Sequence, residues 1–318
     1  MRKEDIAIVF PGQGSQYIGM GKDLYDNFET ARRVFVEVND AISQNLSDLI
    51  FFGNKDELDL TENAQPAILA CSIAAYRVLA EINEATSMFD LCAVTAGHSL
   101  GEYSALCAAG ALSLSSAARL TKKRGLAMQA AVEIGRGGMS ALLGVDFDTA
   151  SQIAIEAEKY GVCEVANDNC NGQIVISGDI KAIEYAESIA SQYGCKKSVR
   201  LSVSAPFHCS LMHPAAKIVE KELLEINFSP PKVPVISNYT ARPNVSTIQI
   251  VQLLVGQIAN VVRWTESIKL ISARYNVKHF IECGPGKNLS GLISRILIKS
   301  DCKHVFSKDE LRDIDKIV

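Results

Sequence analysis

The sequence predicts an α/β fold: a mainly parallel sheet with helices on both faces, and a second, smaller domain inserted into it. Three observations predict this. Short apolar runs bounded by glycine alternate with longer segments of helical period along most of the chain. Between about residues 134 and 204 the rhythm changes to β-α-β-β-α-β, the ferredoxin-like order. The flexible stretch Gly135-Arg136-Gly137-Gly138 opens that interval. The expected domains are therefore 1–133 with 205–318, and 134–204.

The first strand is expected over residues 5–10, where Ile6-Ala7-Ile8-Val9-Phe10 is apolar at every position, and Pro11-Gly12 ends it. Residues 66–82 read as a helix with Pro66 in its first turn, where the missing N–H has no partner to lose. A second strand over 91–97 runs directly into Ser99 and a helical segment over 100–109. Ser113 is placed to cap a helix over 113–131. In the inserted interval, strands at 139–145, 162–166, 173–177 and 196–203 alternate with helices at 147–160 and 179–193. Near the C-terminus a strand over Val277–Cys283, the turn Gly284-Pro285-Gly286 and a helix over 287–297 follow one another.

With 318 residues, 48% hydrophobic and 21% charged, the chain can bury a large core and is not compositionally disordered. A net charge of −4 without a basic run argues against a nucleic-acid partner. No stretch reaches the ~20 apolar residues of a membrane span, and the first apolar run is too short for a signal peptide, so no membrane association is expected. Nine cysteines stand singly without a C-x-x-C pair, which predicts reduced thiols, no metal site and a cytoplasmic location.

Gly97-His98-Ser99-Leu100-Gly101 is a G-x-S-x-G between an expected strand and an expected helix. A serine at such a turn holds a strained backbone that exposes its hydroxyl, and the next N–H, of Leu100, faces a developing oxyanion. By pattern alone a serine N-cap in a glycine-rich turn is the competing reading. A nucleophilic serine needs a base. Among the histidines 98, 208, 213, 279 and 304, His208 lies in the loop Ser204-Ala205-Pro206-Phe207-His208-Cys209, where the chain returns from the inserted domain. A solvated loop histidine is the plainer alternative there; His98 reads as packing, and the other three as structural. Arg124 stands in an apolar helical stripe with Ala117, Leu120, Thr121, Ala127, Met128 and Ala131, so an anion must satisfy it. An internal carboxylate and a substrate carboxylate are both open at this point. The loop Pro11-Gly12-Gln13-Gly14-Ser15-Gln16 lacks both Walker and dinucleotide-binding spacing.

Phe10-Pro11-Gly12-Gln13-Gly14-Ser15-Gln16, Gly97-His98-Ser99-Leu100-Gly101-Glu102-Tyr103-Ser104-Ala105 and Glu282-Cys283-Gly284-Pro285-Gly286-Lys287 together resemble the malonyl-CoA:acyl carrier protein transacylases, nearly end to end and in order. The resemblance implies an α/β-hydrolase-like large domain, the ferredoxin-like small domain, and malonyl supply to fatty acid synthesis. It assigns Ser99 as the acylated nucleophile, His208 as base, and Gln13 and Leu100 as backbone oxyanion donors. It assigns Arg124 to the malonyl carboxylate and Gln257 to the segment whose backbone carbonyl orients the histidine. Asn167 and Asn169 would line the cleft, and Phe207 would favour malonyl over methylmalonyl units. Two positions depart from the family pattern, Val261 for proline and Cys283 for valine, and neither bears a reacting group.

The implied chemistry is ping-pong transfer from malonyl-CoA through a malonyl-serine ester to the phosphopantetheine thiol of acyl carrier protein, with no cofactor of its own and a monomeric chain. A serine esterase or thioesterase is the alternative, with its histidine near the C-terminus at His279 or His304. A non-catalytic carrier-docking protein is a third. An acidic carrier calls for cations around the cleft, for which Lys122, Lys123, Arg200 and Lys287 are candidates.

Overall fold

The computed structural model describes residues 1–203, 205–244, 246–298 and 300–314. In chain order the strands among them are β1 (Ile6–Phe10), β2 (Val94–Gly97), β3 (Gly137–Leu143), β4 (Cys163–Cys170), β5 (Gln173–Asp179), β6 (Lys197–Arg200), β7 (Val235–Ile236), β8 (Pro243–Asn244), β9 (His279–Cys283) and β10 (Asp301–Val305). They form two sheets, a six-stranded one ordered β10-β9-β1-β2-β7-β8 and a four-stranded one ordered β4-β5-β3-β6.

The larger sheet is parallel except for the last pair, β7 with β8. β1 lies at its centre, with Ile8 opposite both Thr95 and Ile281. Its unbroken apolar run follows from that position, because both faces are covered. Ile6, Ile8 and Phe10 enter the core on one side, Ala7 and Val9 the core on the other. One covering helix, Thr61–Ile82, is long and apolar enough to cross a membrane by composition, yet most of it is buried here as the core helix.

That helix corrects one expectation. It begins at Thr61, so Pro66 lies inside it and not in the first turn. The neighbouring helix Leu114–Ala130, capped by Ser113 as expected, crosses it at this level with almost no clearance. A Cβ on Gly125 would lie 2.6 Å from Glu62 Cα and 2.6 Å from Thr61 O. Only glycine permits this approach, which brings Arg124 beside Gln65.

In the smaller sheet all pairs are antiparallel. The helices Phe147–Ala157 and Ile180–Ile189 pack on it through Ile153 and Ile183, against Leu142, Val165, Ile174 and Ile176. The β-α-β-β-α-β order is as read from the sequence, with different bounds. β6 ends at Arg200 instead of 203, and Leu201, Ser202 and Val203 line the main cavity. β4 runs past 166 to Cys170, with register shifts between Val165 and Asn167 and between Asp168 and Cys170. The expected domain boundary at residue 204, and residues 315–318, lie outside the described residues.

Candidate active site

The turn after β2 is built by its glycines. Ser99 has φ +49°, a left-handed conformation that costs a non-glycine residue energy. The helix Gly101–Ala108 starts directly behind it. A Cβ on Gly97 would stand 1.9 Å from the Gly101 carbonyl carbon and oxygen, and one on Gly101 2.2 Å from Phe10 O. The two glycines of G-x-S-x-G are thus required because strand and helix backbones touch. Asn238 holds the turn closed: its Oδ1 accepts the Ser99 N–H at 2.6 Å, and its Nδ2 donates to Gly97 O at 2.7 Å.

The Ser99 hydroxyl lies 2.7 Å from His208 Nε2. His208 Nδ1 lies 2.9 Å from the backbone carbonyl of Gln257. A carbonyl only accepts, so Nδ1 carries the proton and Nε2 is left to accept from Ser99. Burial, aided by the nearby Arg124 guanidinium, holds the imidazole down to about 3, so it is a neutral base near pH 7.

Arg124 is buried. Its Nη1 donates to Gln65 Oε1 at 2.8 Å, and its Nη2 to Gln257 Oε1 at 2.9 Å and to the Ser99 hydroxyl at 3.1 Å. Its Nε has no hydrogen-bond partner among the described residues. The fork is therefore held by two neutral amides and a hydroxyl, and no carboxylate hydrogen-bonds to it among the described residues. A guanidinium held this way next to a serine hydroxyl is set to receive an anionic group.

Ser99, Arg124 and His208 open into a cavity of about 1100 Å³, together with Gln13, Asn167, Asn169 and Phe207. Both asparagines belong to β4, where the register shifts twice, and both line the cavity. Asn169 Oδ1 lies 2.8 Å from His98 Nε2. His98 packs edge-on against Trp264, as expected of a packing residue, and also lines the cavity. Gln257 does not line it: fully buried beneath Ser99, it acts on Arg124 and His208. Leu100 is buried likewise, with its backbone at the start of the helix behind Ser99.

His279 pairs with Asp301 and His304 with Glu310, and neither lines the cavity, which leaves the esterase arrangement without its histidine. Each of the four candidate carrier-facing cations has a partner in the chain, Lys287 pairing with Glu310. Lys122 binds Gln44 and Asn63, Lys123 pairs with Glu222 and Arg200 with Glu187. Only Lys287 of the four lines the cavity, joined there by Lys55 and Arg295. Sequence reasoning assigned no role to Glu102, Asn238 or Gln65. Glu102 gave a signal, an acid inside the otherwise uncharged helix Gly101–Ala108. Asn238 and Gln65 gave none.

The acyl transferase domain family matches residues 7–300 of the chain. The malonyl CoA-acyl carrier protein transacylase of Bacillus subtilis is 46% identical over 292 residues, covering 92% of this chain and 90% of that protein. The chain belongs to the malonyl-CoA:acyl carrier protein transacylase family. The Escherichia coli K12 member is 40% identical over 291 residues, with 92% of each chain covered. Among solved structures, the acyl-carrier-protein S-malonyltransferase of Bartonella henselae superposes with a TM-score of 0.92 at 48% identity, covering 97% of each chain. A malonyl-transacylase of this family, solved in complex with a type II polyketide acyl-carrier protein, gives a TM-score of 0.93 at 37% identity over 97% of this chain and 98% of that one. As a member of this family the chain is an acyltransferase.

Proposed function

We propose that this acyltransferase moves a malonyl group from malonyl-CoA to the phosphopantetheine thiol of an acyl carrier protein, through an ester on Ser99, and so supplies fatty acid synthesis. The observation that carries the reading is the Ser99 hydroxyl held between a neutral imidazole nitrogen at 2.7 Å and a buried guanidinium at 3.1 Å. Ser99 Oγ attacks the thioester carbonyl while His208 Nε2 takes its proton. The backbone N–H groups of Leu100 and Gln13 receive the oxyanion, and loss of one such donor typically costs ~100–1000-fold in rate. The carbonyl re-forms, the bond to sulfur breaks, and CoA leaves with the proton from His208. The carrier's thiol then gives its proton to His208 and attacks the ester, and Ser99 recovers the proton as it leaves.

Throughout, Arg124 holds the malonyl carboxylate. Asn167 and Asn169 line the path of the acyl chain, and Phe207 closes the acyl end against a larger malonyl substituent. This sequence of steps asks for no cofactor. The named activities of the relatives and the solved carrier complex support the choice of donor and acceptor. The same reading takes the large sheet as an α/β-hydrolase-like domain of residues 1–133 and 205–318, with 134–204 as an inserted ferredoxin-like domain. It takes the chain as a monomer acting in the cytoplasm, with neither nucleic acid nor membrane as partner.

Replacement of Arg124 by alanine tests it. Malonyl transfer is expected to fall by at least ~100-fold while acetyl transfer gains relative to it, because only the malonyl group has a free carboxylate to lose its partner. An unchanged malonyl-to-acetyl ratio would sink the assignment.

A further inference from the structure

We propose that Glu102 is a positioning residue: its carboxylate fixes the side-chain amide of Gln257, and through it the Arg124 guanidinium and the His208 imidazole. The inference rests on Ser99 as the acyl acceptor. Glu102 stands one turn after Ser99 and is only 1% exposed. Its Oε2 accepts the Gln257 Nε2 at 2.7 Å and the Asn238 backbone N–H at 2.9 Å.

The Gln257 amide is thereby allowed one orientation. With Glu102 ionised, its NH₂ faces two groups that only accept, the Glu102 carboxylate and the Ser99 carbonyl at 2.9 Å. Its oxygen faces a group that only donates, the Arg124 Nη2 at 2.9 Å. An inverted amide would put oxygen against oxygen and NH₂ against guanidinium. The carbonyl that orients His208 belongs to the same residue, so one carboxylate sets both ends of the site.

The arrangement also places charge usefully. A carboxylate paired directly with Arg124 would occupy the face that must take a substrate anion. Glu102 instead sits one amide away, where its negative charge offsets the buried guanidinium and leaves the fork open. Arg124 on the crossing helix is its cationic neighbour, Tyr103 on its own helix is the adjoining phenol, and His208 lies beyond Gln257. Burial pushes the carboxyl up to about 7 against the donors that favour its charged form.

The test is a double-mutant cycle read as the rate of Ser99 acylation by malonyl-CoA and acetyl-CoA, from about pH 5 to about pH 9, with melting temperatures alongside. Glu102→Gln is expected to slow malonyl acylation about tenfold, more than acetyl acylation. Gln257→Ala is expected to slow it as well, and adding Glu102→Gln to it should change little more. Glu102→Asp keeps the charge but withdraws it by one methylene; it is expected to be slow too, and serves if the glutamine variant does not fold. The wild type should lose rate as pH falls through about 7, a step that Glu102→Gln lacks. Losses that multiply in the double variant, or wild-type rates in both Glu102 variants, overturn the proposal. A wild type that is never acylated overturns the Ser99 reading as well, and is thereby distinguished from failure of Glu102 alone.

Discussion

At the scale of single residues, the site works by removing choices. His208 has one tautomer because a carbonyl faces Nδ1, and one charge state near pH 7 because it is buried beside Arg124. That burial has a stability consequence whose sign can be worked out. Folded, the imidazole takes a proton only near pH 3; unfolded, it does so near the ordinary ~6.5. Its contribution is present above pH ~6.5 and is lost as pH falls toward 3, by up to ~1.4 kcal/mol per pH unit. Urea unfolding at about pH 7 and about pH 5 should therefore show the wild type losing ~2 kcal/mol more than a His208→Gln variant. Glu102, shifted upward, works with the opposite sign between ~4.3 and about 7, and cancels because both proteins carry it. Equal losses in the two proteins would mean that His208 is not held neutral by burial.

At this scale the sequence was legible where chemistry demands a pattern. Ser99 stood out because strand and helix backbones meet at Gly97 and Gly101 and leave no room for a Cβ. Arg124 stood out because a charge in an apolar stripe needs an explanation. Asn238 did not stand out. It follows the two-residue strand β7 with no periodic signal, and only the folded chain brings it to Ser99 across 139 residues.

At the scale of elements, position is set by close backbone approaches. The helices Thr61–Ile82 and Leu114–Ala130 meet at Gly125, and that contact is what sets Gln65 against Arg124. A methyl group there must push the helices apart, so Gly125→Ala is expected to cost ~1–3 kcal/mol and to weaken malonyl acylation more than acetyl acylation. Chemical denaturation and acylation rates measure the two effects. A variant as stable and as selective as the wild type would show that the helix spacing does not position Arg124. The first turn of Thr61–Ile82 was hidden in the sequence because proline normally marks a helix start, and here Pro66 sits inside. The end of β4 was hidden because a bulged strand breaks the two-residue period, and Asn167 and Asn169, which line the cavity, lie in that irregular part.

At the scale of the whole molecule, a central parallel sheet supplies Ser99 at the carboxyl end of β2, and the smaller sheet supplies Asn167 and Asn169 from β4. Both sheets could be anticipated from strand–helix alternation and from the change of rhythm near residue 134. The strand order could not, since β9 and β10 return from the far end of the chain to flank β1. Acyl transfer through Ser99 can be read from the intact mass of the protein after mixing with malonyl-CoA, then with a phosphopantetheinylated carrier protein. One malonyl adduct is expected, on Ser99 and absent from Ser99→Ala, that persists in buffer and passes to the carrier's thiol. No adduct on a folded protein, or one lost to water as fast as to the carrier, would contradict it.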